Sequence, residues 1–426
     1  MRCLVLPLSM LLLTLSAYAE GEESQPKAVW NLSRYVAEVL EVHPNVETAR
    51  HAVEGAHARI SSAKVFPNPE LSVGLTQLDA THAGNPTMVG VELSVPIELG
   101  GKRSGRVGVA RAEVNAADAE FDEVRRALRA TAAEAFINLL HARLRVARRT
   151  EVLEGLQRLV AADERRLAAG EIGEVVLLQL RVEAEQFRAE LIEAEGQQVV
   201  AEVSLRQLLG ARVLETRASL EIVGDLRTQP PTLDTASLFA LLSQRADLRS
   251  VTARVEVAER RVKLEEANRV IDIAAKIGWQ HSFSVSSAPT VPSAEILSAS
   301  LSIPLPFSHI YRGDIEAAKS AHRQAVSGQA AAQLAAEGEL QQALARFEAA
   351  SRKAALFERG VVGDADRVLE KMLYSYQRGA VSLLELLIAQ RKATEVHLGF
   401  LDALSERTRA LVEVERASGA FGLLEL

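Results

Sequence analysis

The sequence predicts a mainly α-helical fold with a small β part, in which long helical hairpins carry four strands, too few to close a sheet on themselves. Three observations predict it: two proline-free stretches of unusual length, four short segments with period-two hydrophobicity, and an order of elements that occurs twice. Aromatic residues make up only 4% of the chain against 48% hydrophobic residues overall. The apolar content is therefore dominated by Ala, Leu and Val, which suits helices packed at close distance.

The helices come first because they set the scale. No proline interrupts Ser104 to Ala169, and Asp314 to Arg378 is likewise free of it. At 1.5 Å per residue, roughly 65 residues make a rod of about 100 Å, far longer than a globular helix. In the first rod Val107, Val114, Phe121, Leu128 and Ala135 recur every seven positions, with Ala110, Ala117, Val124 and Thr131 as a second seam. After Ala135 the phase slips by four to Leu139, Val146, Leu153, Val160 and Leu167. Such a stutter locally unwinds a supercoil and straightens the packing, as the wall of a tube requires. Gly170 and Gly379 fall where each rod must turn back into a partner helix.

The strands are shorter and amphipathic. Leu71, Val73 and Leu75 alternate with Ser72, Gly74 and Thr76, and Val89, Val91, Leu93 and Val95 alternate with Gly90, Glu92 and Ser94. Polar turn material, Asp79 to Thr87, separates them. A second pair is predicted at Ile273 to Phe283 and Ile296 to Leu305, around the loop from Ser284 to Ala294. Strands of about ten residues suit a tilted membrane barrel, but known barrels begin at about eight strands. Four strands leave edges open to lipid, so several chains must share one barrel, and three would supply twelve strands. Pro67 and Pro69 precede the first strand, while Pro96, Pro304 and Pro306 are expected to end the ladder cleanly after strands in each half.

The chain is written twice. Leu93-Ser94-Val95-Pro96-Ile97 recurs as Leu301-Ser302-Ile303-Pro304-Leu305, an offset of 208 that also carries Gly105 onto Gly313. Gly170 meets Gly379 at an offset of 209. Each half reads helix, strand, loop, strand, very long helix, Gly turn, helix. Gln229-Pro230-Pro231-Thr232 marks a linker, which places the first repeat at residues 20–229 and the second at 230–426.

Residues 1–19 read as a secretory signal, with Arg2, an apolar run from Leu4 to about Ala17, and Ala17-Tyr18-Ala19 before the cut. Cys3 lies inside that signal, so the exported chain is expected to carry no thiol and no lipid anchor. The net charge of −7, without a basic stripe, gives no reason to expect nucleic acid as a partner. Signatures of catalysis are missing. Gly100-Gly101-Lys102-Arg103 lacks the spacing of a phosphate loop and reads as a strand-to-helix turn, and no Gly-x-Ser-x-Gly, HExxH or CxxC occurs. The histidines, among them His43, His51, His57, His141 and His397, are dispersed, and only Met88 and Met372 remain after the signal. The reading is of a non-enzyme with no cofactor and no resident metal.

With Phe66-Pro67-Asn68-Pro69-Glu70-Leu71, Pro96-Ile97-Glu98-Leu99-Gly100-Gly101-Lys102-Arg103 and the turn Arg166 to Gly170 in hand, the sequence resembles the TolC-type outer-membrane efflux factors, within them the CzcC-like branch for heavy-metal export. The resemblance spans nearly the whole mature chain. It implies a homotrimer with a twelve-stranded barrel in outer-membrane lipid and a helical tunnel in the periplasm. It also implies a periplasmic adaptor and an inner-membrane pump of the resistance-nodulation-division type. It assigns adaptor contact to Arg166, Leu167 and Gly170 and to Arg378, Gly379 and Ser382, and a periplasmic gate to Glu385. A further acidic residue that the family has one turn later is replaced by Ile388. A multidrug or type I secretion duct of the same fold, or a soluble periplasmic coiled-coil scaffold, are the alternatives.

Overall fold

The computed structural model describes residues 29–77, 86–210, 221–284, 293–307 and 311–424. The predicted signal at residues 1–19, most of the two strand-connecting loops and Cys3 lie outside the described residues.

The order of elements is repeated. The first half contains a short strand β1 (Val29–Trp30), helices α1 (Leu32–Val42) and α2 (Pro44–Ala63), strands β2 (Glu70–Gln77) and β3 (Pro86–Ile97), then α3 (Lys102–Ala168) and α4 (Glu174–Leu208). The short strand β4 (Glu221–Ile222) closes the first half, and the second contains α5 (Thr235–Leu241), α6 (Ala246–Asn268), β5 (Ile273–Ser284), β6 (Ala294–Ser302), α7 (Arg312–Leu356), α8 (Val362–Gln377) and α9 (Leu383–Ser418). β1 and β4 pair in parallel and tie the start of the first half to its end.

α3 is a single helix of 67 residues, or about 100 Å at the α-helical rise. Its predicted seam largely faces inward: Ala110, Val114, Leu128, Ala135, Leu139 and Leu153 are buried. Val107, Phe121, Val146, Val160 and Leu167 are half-buried and Thr131 is exposed, because α3 packs on several helices in turn, α2, α6, α4 and α9, rather than on one partner throughout. The main core lies where α1, α3 and α9 meet, around the fully buried Tyr35, Phe136, Leu139 and Leu404. There the Tyr35 hydroxyl donates to the Leu205 carbonyl at 3.0 Å, giving its polar end a partner inside an apolar cluster.

Two expectations need correction. The second rod is not continuous: α7 and α8 are separated by a π-helical turn, Phe357–Val361, in which Gly360 leaves helical geometry (φ 158, ψ −22). The inserted turn packs Phe357 against Phe400 of α9 at 6.1 Å, and the absent side chain of Gly399 makes room for its ring. The prolines also behave unequally. β6 stops at Ser302, ahead of Pro304, but β3 runs through Pro96, which pairs with Ala274 of β5. That position is tolerated because β2 begins only opposite Ser94, so at Pro96 the ladder has one neighbour and is an edge.

The turn from sheet to rod is built from the Gly-Gly-Lys-Arg stretch. Gly100 and Gly101 both take positive φ (71° and 76°), and a Cβ on Gly100 would come within 2.4 Å of Val270 Cβ. Leu99 N–H and Lys102 Nζ donate to the two oxygens of Asp272 at 3.0 and 2.7 Å, tying the start of α3 to the start of β5. The stretch is a structural joint between the repeats.

Candidate functional site: a four-stranded sheet and two helical tips

The sheet has the order β2-β3-β5-β6, antiparallel throughout. Its centre is the β3–β5 pairing, Pro86–Ser284 to Ile97–Ile273, which joins the hairpins of the two repeats. Register sorts the faces. Leu71, Leu93, Ile277 and Ala299 form one row across the strands, and Val73, Val91, Trp279 and Leu297 the next. This face is bare: Val73 is 71% and Leu297 79% exposed. The opposite face carries Ser72, Glu92, Gly278 and Ser298 in one row and Ser94, Lys276 and Ser300 in another, with Lys276 Nζ donating to Glu92 at 3.0 Å. An apolar face in water and a polar face with small side chains are the reverse of a soluble sheet packed on a core, and they match a barrel wall between lipid and an aqueous lumen. β3 has 12 residues, about 40 Å of strand, which at the usual barrel tilt spans about 30 Å. Among the described residues, β2 and β6 each have one strand neighbour and one open edge.

The two tips lie at the far end of the rods. At the first, Gly170 takes φ 74°, its N–H donates to Leu167 O at 2.9 Å, and Glu171 N–H donates to Arg166 O at 2.9 Å. At the second, Gly379 takes φ 71°, its N–H donates to Tyr376 O at 2.9 Å, and Ala380 N–H donates to Ser375 O at 2.9 Å. Both are Schellman terminations, and both need a residue without Cβ at the left-handed position. The exits differ. α4 starts from Gly173 without a side-chain cap, whereas α9 starts from a capping box. There Ser382 Oγ accepts the Glu385 N–H at 3.3 Å, and the Glu385 carboxylate accepts from Ser382 N–H at 2.7 Å and Ser382 Oγ at 2.8 Å. Those bonds hold the Glu385 carboxyl below its ordinary pKa while it stays exposed.

The tips are joined to each other. Tyr376 of α8 donates its hydroxyl to Oδ2 of Asp163 on α3, while Arg166 Nη1 donates to Oδ1 at 3.1 Å and lies over the Tyr376 ring at 5.4 Å. Asp163 is 1% exposed. Burial, then the bond to Asp163, pushes the Tyr376 hydroxyl up to about 12, so the phenol stays protonated as a donor at neutral pH. Beneath the latch, Leu153, Leu156, Leu180, Phe187, Leu383 and Leu386 pack into one apolar cluster drawn from both repeats. One level up, Arg391 of α9 grips Glu183 of α4 through two nitrogens at 2.6 and 2.8 Å.

A family model described as "Outer membrane efflux protein" matches residues 35–211 and 238–420, one block in each repeat. The chain belongs to the outer membrane efflux protein family. Among its relatives, the cobalt-zinc-cadmium resistance protein CzcC of Cupriavidus metallidurans is 25% identical over 375 residues, covering 88% of this chain and 86% of that one. The probable outer membrane lipoprotein SilC of Salmonella typhimurium is 23% identical, covering 88% and 83% respectively. The crystal structure of the Campylobacter jejuni outer membrane channel CmeC superposes with a TM-score of 0.74 at 17% identity, covering 91% of this chain and 85% of that chain. The expected family, the fold class with its internal repeat and the role of an outer-membrane efflux duct are borne out.

In this efflux protein the seven residues singled out from sequence gather at the tips in two different states. Arg166 is engaged, by Asp163 and by Glu171 at 3.3 Å; Leu167 is half-buried. Gly170, Arg378, Gly379, Ser382 and Glu385 are exposed, with Arg378 held over the Tyr374 ring at 4.2 Å. Sequence reading missed Asp163 and Tyr376. Their signals were slight: an acid and a tyrosine falling on the inward stripe of helices that are otherwise apolar there.

Proposed function

We propose that three copies of this chain form a closed exit duct that discharges heavy-metal cations across the outer membrane. In it the β2 edge of one copy pairs with the β6 edge of the next. The observation that carries the reading is the sheet itself: open at two edges, apolar on one face and polar on the other, it cannot exist in lipid until its edges are paired. The rods support the same sharing of structure between copies. On α4, Val175, Val182, Ala189, Gly196 and Val203 recur every seven residues, with Leu178, Ile192 and Val199 as the adjoining seam. Every one of them is exposed in the single chain. A heptad stripe with no partner within its own chain supports a helix from a neighbouring copy as that partner.

The duct supplies a path rather than energy, so a proton-driven inner-membrane pump and a periplasmic adaptor complete it. The adaptor would contact the exposed turns, Gly170, Arg378, Gly379 and Ser382 together with Arg166 and Leu167. The Asp163–Tyr376–Arg166 latch would hold the tips together at rest, with Glu385 adding charge beside the opening. Docking that competes for Arg166 withdraws one of the two donors to Asp163 and frees α8 and α9 to splay. Support for metal cations comes from the CzcC relative, whose name specifies cobalt, zinc and cadmium. Export by a cleaved signal, anchoring by the barrel alone and a boundary between repeats near residue 230 belong to the same proposal.

The test is a deletion strain complemented with the wild-type gene. Cobalt, zinc and cadmium tolerance should fall on deletion and return on complementation, and the purified protein should run as a heat-modifiable trimer extracted by detergent. Unchanged tolerance to every metal, with drug tolerance lost, would move the duct to the multidrug class.

A further inference from the structure

Helices from different repeats meet inside this chain, and the duplication fixes where the same meeting has to recur. α9, the return helix of the second repeat, packs on α3, the rod of the first. The joint is polar. Asp402 of α9 lies 2.8 Å from His141 Nε2 and accepts from Arg145 Nη1 at 2.7 Å, both on α3. Burial lowers the His141 pKa, which leaves Arg145 as the lasting cation there. The counterpart joint, the return helix of the first repeat against the rod of the second, is not made within the chain. α4 packs on α3 and meets the second repeat mainly near the tip, through Glu183 and the apolar cluster beneath the latch. The same gap stands nearer the sheet, where α6 lies between α3 and α7 while its counterpart α2 packs chiefly on α3. Each chain thus has one joint between repeats made and one open.

The offsets name the residues of the open joint. Return helices are related by 209, so Glu193 of α4 stands where Asp402 stands in α9. Rods are related by 208 as far as the π-helical turn, whose surplus residue accounts for the change to 209 at the tips. Lys353 of α7 precedes that turn and stands where Arg145 stands in α3. Equivalence dictates position and not residue type, so the return of an acid opposite a base is an independent agreement. Glu193 is exposed and accepts the Gln197 amide of its own helix at 3.2 Å, while Glu190 beside it is engaged by Arg149. Together with Glu134 it lines a groove between α3 and α4 that contains no Lys, Arg or His. Lys353 is also exposed, donating to Glu406 of α9 at 2.7 Å, and its ammonium has donors to spare for a second carboxylate.

We propose that Glu193 of one copy pairs with Lys353 of the next, so that α4 docks on the neighbouring α7 as α9 docks on α3 within the chain; the inference rests on the trimer proposed above. Ala189 and Gly196 of the bare α4 stripe lie four residues before and three after Glu193 and share its face. The pair therefore sits beside the apolar seam, where charged side chains choose partner and alignment. An exposed ion pair adds little stability. Its role is register: a slip of one helical turn, about 5.4 Å, parts the charges.

Cross-linking of the full-length protein in isolated outer membranes tests it. The only native cysteine, Cys3, lies in the predicted signal, so Glu193→Cys with Lys353→Cys introduces the thiols that a short bifunctional thiol reagent can join. Denaturing gels should show covalent dimers and trimers for the double variant and monomers for each single one. His141→Cys with Asp402→Cys, at the joint made within the chain, should link without change of subunit number and shows that the reagent reaches. A trimer that resists SDS yet yields no links between copies, while the control pair links, overturns this register and leaves the trimer standing. Absence of any trimer overturns both. The charges are tested separately. Glu193→Lys should lower the fraction of SDS-resistant trimer at a fixed elevated temperature several-fold, and much less when Lys353→Gln has already removed the opposing ammonium. Equal losses in the two backgrounds overturn the pairing.

Discussion

The two repeats share one plan and differ in how firmly each is built. In the first, α3 runs unbroken for 67 residues from the sheet to the tip. In the second, the equivalent rod is divided by the π-helical turn at Phe357–Val361, and its return helix α9 starts from a capping box that α4 lacks. Duplication preserved the turns and the strand edges, and let the interior of the rods diverge. The difference teaches where movement can be absorbed. A π-turn is a local surplus of one residue, which rotates the helix beyond it, and it sits on the repeat whose tip is latched by Tyr376 to the uninterrupted rod. The proposed gating therefore assigns the frame to the first repeat and the movement to the second.

The strongest way to break this comparison is at the bare stripe of the frame. Val182→Asp with Ile192→Asp on α4 should abolish the SDS-resistant trimer, because two carboxylates would enter an apolar seam. The same load on the exposed Ile388 should leave most of the trimer intact.

Next comes the latch. Tyr376→Phe removes a donor from a carboxylate that is 1% exposed, a loss of about 1–3 kcal/mol at the tip. Conductance of the reconstituted channel should rise several-fold, with uptake of large antibiotics increasing in parallel. The same phenol has a raised pKa, so its bond is fully present below the ordinary tyrosine value and is lost only as pH climbs through about 12. Closure should therefore show no step attributable to Tyr376 between about pH 6 and 9.

Gly170→Ala and Gly379→Ala ask whether the turns are truly equivalent. Each forces a Cβ into the left-handed region at about 1–2 kcal/mol, with nothing within 4 Å to clash. The two should lower the melting temperature alike.

The smallest effect is expected at Glu385→Gln. The exposed carboxylate contributes through its capping box, and its lowered pKa means that contribution is present above the ordinary value of 4.5 and lost as pH falls through the folded one. Wild type and variant should converge in thermal stability in acid and differ slightly at neutral pH.

Much of this was legible in the chain because it is encoded locally. Strand faces follow from alternation, as Leu71-Ser72-Val73 shows, and the tip turns follow from single glycines. The features that escaped depend on tertiary register. Asp163 and Tyr376 are 213 residues apart, and nothing short of knowing which helix faces which could pair them. The passage of β3 through Pro96 depends on where β2 happens to begin, a property of another strand. The broken second rod left a trace in Gly360, but a glycine inside a helical pattern does not by itself announce an extra residue in the turn.

The direct pairing of β3 with β5 makes each copy's share of the barrel one welded panel rather than two hinged ones. In a ring of three panels the only joints are between copies, so entering the bilayer and finding neighbours become a single event. A gene product damaged at one strand edge would then poison its healthy siblings. Where half the copies carry such damage, only roughly one ring in eight is built wholly from sound panels.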